Sequence, residues 1–499
     1  PPRMTTSALH AALRAAEPHR VALDDTSRVV TFGELGPLLD DEGDWLAGGG
    51  ERFALLADNG VGWALTDLAL HLRQLPSVPL PGYFTAPQIQ HALDDAGIDC
   101  LLTDETTRVG ELLAGWRNGG ISGRTGLTMF RRQLDAAARP RLPSGTVKVT
   151  YTSGSTAAPK GVCLGATDLE AVAQSLAGAT AALGVERHLC LLPLATLLEN
   201  VGGIYAPLLA GARAMLPGAA TTGMSYAGPD VPRLLACIGA NEPDSLILVP
   251  ELLRLLVVAA ERGWPVPRSL KFVAVGGASV AVELLERAAA VGLPVYEGYG
   301  LSECASVVCL NTPAARRKGS AGRPLPHAQV RVDADGQLMV SGVTMRGYLG
   351  DAPRRPGEEW ATGDVGEIDA DGYVYVRGRL RNIYITSFGR NVSPEWVERE
   401  IALEPAIRHV LVHGEARPYA VAIVSANRDG ADAATIDRAI TAANARLPDY
   451  AQVRRWIRAT GPFTLDNGLL TSNGRLRRRE IEQRHGALLD ALYREEIAS

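Results

Sequence analysis

Three stretches of this chain repeat the order strand, helix, strand, and that repetition restricts the fold more than any other feature. In the first, Phe53-Ala54-Leu55-Leu56 reads as a buried strand and Asn59-Gly60 as the turn after it. Ala64 to Leu72 then reads as a helix, and Val78-Pro79-Leu80 as the next strand. The second runs from Leu189–Leu192 through a helix over Tyr205–Leu209 to Ala212–Leu216. The third joins Ser245–Val249, a helix Pro250–Glu261, Phe272–Val275, a helix Val282–Ala290 and Val295-Tyr296. Parallel strands need such crossovers, so the pattern predicts α/β architecture with doubly wound sheets.

Between the first two units lies Thr150 to Gly161. Val147 to Tyr151 predicts a strand. Thr152, Ser153, Gly154, Ser155 and Thr156 follow, then Lys160. Hydroxyls and backbone N–H groups in such a loop can donate to phosphate oxygens, and the lysine adds a mobile charge. It lacks the G-K-[ST] ending of a Walker A loop. Taken alone, it reads equally as a polar surface turn. In open α/β sheets, ligands bind beyond the carboxyl ends of the strands. Three loops fall at such ends: 152–160, 276–279 and 298–303.

The bulk properties exclude several classes. A formal net charge of −5 argues against general nucleic-acid binding. The six cysteines are scattered, without C-x-x-C pairs or metal-ligand spacing, which fits a reducing, cytoplasmic setting. No apolar run is long enough for a transmembrane segment. Lysine occurs only at Lys148, Lys160, Lys271 and Lys318, and every other basic residue is arginine.

From about 319 the pattern alternates, as in Val330-Arg331-Val332 and Gln337 to Val340, with turn signals at Asp335-Gly336 and Asp371-Gly372. This predicts an antiparallel β region ending in Tyr373–Arg377. Gly378 to Asn382 then reads as a boundary, giving a large N-terminal domain over 1–378 and a small α+β domain over 379–499. Ser393-Pro394 predicts the capped start of a helix. Strands at His409–His413 and Ala420–Val424 and a helix Thr435–Ala445 follow.

Five stretches together resemble the AMP-forming adenylating enzymes, a group that includes acyl-CoA synthetases. They are Thr152–Gly161, Tyr299-Gly300-Leu301-Ser302-Glu303, Thr362-Gly363-Asp364, Gly378-Arg379 with Ile385–Glu398, and Asn473–Arg478. They occur in the family's order across nearly the whole chain. The resemblance implies transfer of a carboxylate to the α-phosphate of ATP, then displacement of AMP by a nucleophile. It implies that Thr152, Ser153, Gly154, Ser155, Thr156 and Lys160 hold the β- and γ-phosphates. Tyr299 and Gly300 would lie at the adenine and Ser302 at the α-phosphate, with Glu303 holding Mg2+. Asp364 would take the ribose hydroxyls and Arg379 ribose or phosphate. Gly276, Gly277 and Ala278 would line the adenine and acyl sites. Gly389 would belong to the loop that serves thioester formation, and Arg381 or Asn382 to a hinge between two orientations of the small domain.

The segment Leu192–Asn200 and the loop Ile385–Val392 look like those of fatty acyl-CoA synthetases, which implies a medium- or long-chain acid and CoA as acceptor. Thr196, Glu199, Gly202 and Gly203 would shape the acyl pocket. A carrier protein or an amine as acceptor, and a non-catalytic binder of nucleotide or acyl-adenylate, remain alternatives. Two positions depart from the family: Ala157 replaces a usual glycine, and Arg475 replaces the C-terminal catalytic lysine. Arginine keeps the charge but presents a planar fork, so that exchange is not conservative.

Overall fold

The computed structural model describes residues 7–110, 112–135, 139–152, 160–225, 228–278, 280–385, 391–415, 417, 419–427, 431–471 and 474–494. Among these, two large sheets carry the predicted strand–helix–strand units. One has eight strands, with Thr146–Thr152, Ser77–Pro79, Phe53–Leu56 and Cys100–Thr103 parallel at its centre. The other has nine, with Val295–Leu301, Phe272–Val275, Ser245–Leu248, Arg187–Leu189, Arg213–Met215 and Val21–Asp24 parallel in that order. The α/β expectation therefore holds. A four-stranded antiparallel sheet covers 328–379, and its turns place Gly336 and Gly372 in the left-handed region, at φ +77 and +82. The expected boundary after 378 falls one residue inside its last strand, Val374–Arg379.

The C-terminal part packs helices Pro394–Ile401, Ala433–Asn444 and Arg478–Arg494 around strands Ile407–His413, Ala420–Ala426 and Val453–Arg458. Ser393 occupies the N-cap position without a capping bond; its hydroxyl donates to Glu395 at 3.1 Å instead. Leu403 leaves the small core and is buried in the apolar cluster around helix Val282–Ala290. Arg446 reinforces that docking with an ion pair to Glu283 at 3.7 Å.

Several elements differ from expectation, each for a local reason. The helix expected around Tyr205 begins with π-helical turns over Asn200–Tyr205. The strand expected to stop at Tyr296 runs on to Leu301, because Gly298–Leu301 pairs antiparallel with Ser306–Leu310. Thr362-Gly363-Asp364 lies within the strand Trp360–Ile368.

The two large sheets are joined through a buried polar knot. Lys148 Nζ donates to Asp67 Oδ1 at 2.7 Å and to Asn200 Oδ1 at 2.5 Å. The Asn200 amide and the Tyr205 hydroxyl both donate to Asp67 Oδ2 at 2.8 Å. All four side chains are buried, and burial pulls the Lys148 amine below its ordinary value despite Asp67. Leaving one buried charge alone is costly. Lys148→Ala is therefore expected to lose about 3–5 kcal/mol in urea unfolding. Lys148→Met combined with Asp67→Asn is expected to lose less than the single change, because no lone charge is left buried.

Candidate active site

A cavity of about 2650 Å³ opens between the large and small parts, at the carboxyl ends of the nine-stranded sheet. Its walls bring together residues from each of the distant motifs. The Tyr299 hydroxyl donates to Asp364 Oδ2 at 2.6 Å. Arg379 pairs with Asp364 Oδ1 at 2.8 Å and donates to the Thr362 carbonyl at 3.0 Å. The Thr362 hydroxyl accepts the Asp364 N–H at 3.0 Å and donates to the Leu338 carbonyl at 2.7 Å. Burial raises the Asp364 carboxyl above its usual range, against the pull of Arg379 and Tyr299.

A second group lies beside the first. Ser302 and Glu303 sit on a short 3-10 turn, Ser302–Cys304. Glu303 Oε1 accepts the Tyr348 hydroxyl at 2.9 Å. Lys160 begins the strand Lys160–Gly165, and its Nζ stands 5.0 Å from the centre of the Tyr348 ring. Tyr348 thus links the two charged residues, a role that nothing in its local sequence signals. Ser153, Gly154, Ser155, Thr156, Ala157 and Gly389 lie outside the described residues; the Thr152 backbone pairs with Lys160.

Gly276, Gly277 and Ala278 follow the strand Phe272–Val275, as expected, and line the cavity. Gly277 takes φ +86, which favours glycine, and its carbonyl accepts from the Arg475 guanidinium. Arg475 comes from the small part and reaches into the solvent-accessible cleft toward Asp364, Tyr299 and Glu303. Loss of water around its guanidinium, and then Arg379 beside it, draw Arg475 below its ordinary value. Gly300 is demanded by a close backbone approach: a Cβ there would lie 1.8 Å from the Ser306 carbonyl oxygen.

The acyl-pocket expectations divide. Thr196 and Gly202 line the cavity. The space beside Gly202 is taken by Ile247 Cδ1, 2.6 Å from where a Cβ would stand. Glu199 is turned away and fully buried, with Oε1 3.2 Å from His188 Nε2 and Oε2 accepting the Leu192 N–H at 3.3 Å. Gly203 makes room for Glu199 and Cys190 rather than for a ligand. His188, Cys190 and Glu199 form a metal-sized cluster, yet their polar atoms already bond one another or the backbone. Ile247, Ser245, His188, Phe272 and Ala212 also line the cavity.

Residues 10–349 match the AMP-binding enzyme family, and residues 382–497 match the AMP-binding enzyme C-terminal domain. The chain belongs to the AMP-binding enzyme family. A 2-succinylbenzoate–CoA ligase of Bacillus cytotoxicus is 26% identical over 376 residues, covering 70% of this chain and 73% of the relative. A PKS-NRPS hybrid synthetase of Aspergillus candidus is 27% identical over 61% of this chain, which spans only 12% of that protein. Among solved structures, an anthranilate CoA ligase in complex with anthranoyl-AMP superposes with a TM-score of 0.77 at 20% identity, over 97% of both chains. The family is thus that of the AMP-binding enzymes, and the fold is that of the solved anthranilate CoA ligase. Two of these relatives are named for aromatic acids, so the expected likeness to fatty acyl-CoA synthetases holds only at the coarser level of likeness to acid–CoA ligases. Among the described residues, no helix is long and apolar enough to cross a membrane.

Glu297, just before the Gly298-Tyr299 pair, supports the loop at 276–280 by accepting the Val280 N–H at 3.1 Å. Burial pushes its carboxyl up to about 7 from 4.5, while Val280 and Arg399 pull the other way. The native state therefore keeps a proton that the unfolded chain releases. This raised value lowers stability progressively as pH rises from 4.5 to about 7. Glu297→Gln is expected to match the wild type in urea unfolding below pH 4.5. Above pH 7 it is expected to exceed the wild type, by on the order of 3 kcal/mol.

Proposed function

We propose that this AMP-binding enzyme activates a carboxylic acid with ATP and then forms its CoA thioester. The observation that carries the reading is the meeting, in one cleft, of the Tyr299–Asp364–Arg379 set, the Glu303–Tyr348–Lys160 set and Arg475. The first set suits a nucleoside: Asp364 offers acceptors to ribose hydroxyls, and Tyr299 and Gly300 present a flat, close-packed wall to a base. Lys160, with the loop 152–156, suits the polyphosphate. Residues 1–378 act as the adenylating domain and 379–499 as its lid.

In the first step a carboxylate oxygen attacks the α-phosphorus, the α–β bridging bond breaks, and pyrophosphate leaves. Such chemistry needs positioning and charge neutralisation more than covalent help. Ser302 holds the α-phosphate and Arg475 supplies the cation between the acid and the departing oxygen. Glu303 fits a Mg2+ ion, since it is a carboxylate on the cleft wall oriented by a hydroxyl donor. Bound there, the ion neutralises phosphate charge. In the second step the thiol sulfur attacks the acyl carbon, the acyl–phosphate C–O bond breaks with its electrons going to AMP, and the thiol proton passes to solvent. The loop around Gly389 serves this step.

A medium- or long-chain aliphatic acid is the substrate the cavity supports best. Gly276 is level with Leu248, whose carbonyl accepts its N–H, and Ser245 lies three residues further along that strand, roughly 10 Å away. Lining residues spread over that length of the strand, with Ile247 and Phe272 among them, support an acid longer than a single aromatic ring.

Pyrophosphate release with octanoic, dodecanoic, hexadecanoic, benzoic and 2-succinylbenzoic acids tests this, with CoA, a carrier protein and an amine compared as acceptors. The aliphatic acids are expected to turn over fastest, with CoA as acceptor. Arg475→Ala is expected to slow release about 10²–10³-fold while calorimetric ATP binding persists, and Arg475→Lys to retain turnover. ATP binding with no release from any acid, by either the wild type or Arg475→Lys, would make the protein a nucleotide binder and sink the ligase reading.

A further inference from the structure

Tyr348 belongs to the short strand Gly347–Tyr348, which pairs antiparallel with Lys160–Gly165 at the edge of the eight-stranded sheet. Backbone bonds tie this segment to both charged groups on the phosphate side of the cleft. The Met345 N–H donates to the Glu303 carbonyl at 2.7 Å, and the Leu349 N–H to the Gly161 carbonyl at 2.8 Å. Residues 345–349 thus span the gap between the turn that carries Glu303 and the strand that begins at Lys160.

Any strand-forming side chain at 348 would serve that backbone pairing. The one present makes two further contacts. Its hydroxyl donates to Glu303 Oε1 at 2.9 Å, and its ring takes Lys160 Nζ at 5.0 Å from the centroid, within cation–π range. Trp360 packs edge-to-face with the same ring, centroids 5.9 Å apart, and stands at the head of the strand that carries Asp364. Tyr348 is half-buried and lines the cavity with Lys160, Ser302 and Glu303. Lys160 is exposed, and a lysine stem has much rotamer freedom, so a ring beside its ammonium restricts where that charge is found.

We infer that Tyr348 is a positioning residue for the metal–nucleotide complex: its hydroxyl orients the Glu303 carboxylate for the cation, and its ring holds the Lys160 ammonium for the polyphosphate. It touches neither reacting atom. The inference rests on the ATP-binding reading above, and it adds a residue that lies outside all five ordered motifs. A hydrogen-bonded partner of a metal ligand fixes that ligand's orientation, and its loss weakens the metal about tenfold or more. A cation–π contact at an exposed site is weaker, so the two roles differ in size as well as in kind.

Calorimetric titration of ATP, in EDTA and then in excess Mg2+, reads both roles without turnover. Phenylalanine keeps the ring and removes the hydroxyl; leucine removes both. Tyr348→Phe is expected to bind metal-free ATP within twofold of the wild type, and Mg2+-ATP about tenfold more weakly. Tyr348→Leu is expected to weaken metal-free ATP as well, about threefold. That extra deficit is expected to vanish when Lys160→Ala is added to both proteins. A leucine deficit of the same size with and without Lys160 would trace it to packing against Trp360 and overturn the lysine role. Unchanged Mg2+-ATP affinity in Tyr348→Phe would overturn the carboxylate role. A wild type that binds no ATP in either condition would remove the proposed function and this role together, whereas intact wild-type binding with unaltered variants removes the role of Tyr348 alone.

Discussion

The Lys148–Asp67 pair is the interaction on which the rest of the large domain depends. It joins a strand of the eight-stranded sheet to helix Val61–Leu72, and through Asn200 and Tyr205 to the π-helical segment that walls the cavity. A buried charge pair is weak evidence of stability in itself, since desolvation offsets most of the attraction. Its value here is positional. A π-helical turn is intrinsically poor and needs outside support to persist. Asp67 gives that support with two acceptor oxygens, and Lys148 neutralises it. From the opposite side, the Asn59 side chain donates to the Leu192 carbonyl at 2.9 Å and accepts the Leu194 N–H at 2.8 Å. The segment 192–205 is therefore held at both ends, and the cavity it borders keeps its shape.

The nucleotide-facing side depends on a different device, the antiparallel continuation of strand Val295–Leu301. Extending the strand carries Tyr299 out of the core far enough to reach Asp364 in another sheet. The continuation is possible only because Gly300 admits the Ser306 carbonyl, and it forces Ala305 and Ser306 into left-handed conformations. The Asp364 carboxyl is correspondingly held above its usual range by burial, with Arg379 and Tyr299 as its compensation. Strain and desolvation are thus concentrated where a ligand can relieve them, which is the expected place for both.

Much of this was legible in the sequence because it is written in local patterns. The apolar runs at 53–56, 245–248 and 272–275 became buried parallel strands, and the helix Pro250–Glu261 matched its predicted ends. The ordered motifs led to Tyr299, Asp364, Arg379 and Glu303, which the fold brings together. What escaped depends on distant partners. Nothing around Gly347-Tyr348 announces that Tyr348 will stand between Lys160 and Glu303. Gly203 looked like room for a ligand, but the room is filled by Glu199 and Cys190, packing that no single-sequence pattern encodes. Glu199 was expected in the pocket because its segment resembles that of fatty acyl-CoA synthetases; instead it is buried with His188, eleven positions earlier, as its partner. The extension of Val295–Leu301 was missed because glycines at 298 and 300 read as strand-ending signals, although here they permit close pairing.

The position of Arg475 bears on the one departure from the family that matters for chemistry. A guanidinium carries five N–H donors in a fixed plane, whereas an ammonium is a compact point charge with three. One Arg475 nitrogen bonds the Gly277 carbonyl, which ties the guanidinium to the cleft wall while its other nitrogens keep their donors. The backbone needed for that contact is the left-handed Gly277, so the small part's arginine and the large part's glycine are matched to each other. Leu403, buried against helix Val282–Ala290, and Arg446, paired with Glu283, dock the two parts close to that contact. A lysine in the same place would gain mobility and lose this second anchor. The arginine instead arrives pre-oriented beside Arg379, and the proximity of those two cations disfavours the empty cleft. An anionic ligand between them would relieve that repulsion, which is the electrostatic basis of the proposed roles of the two arginines.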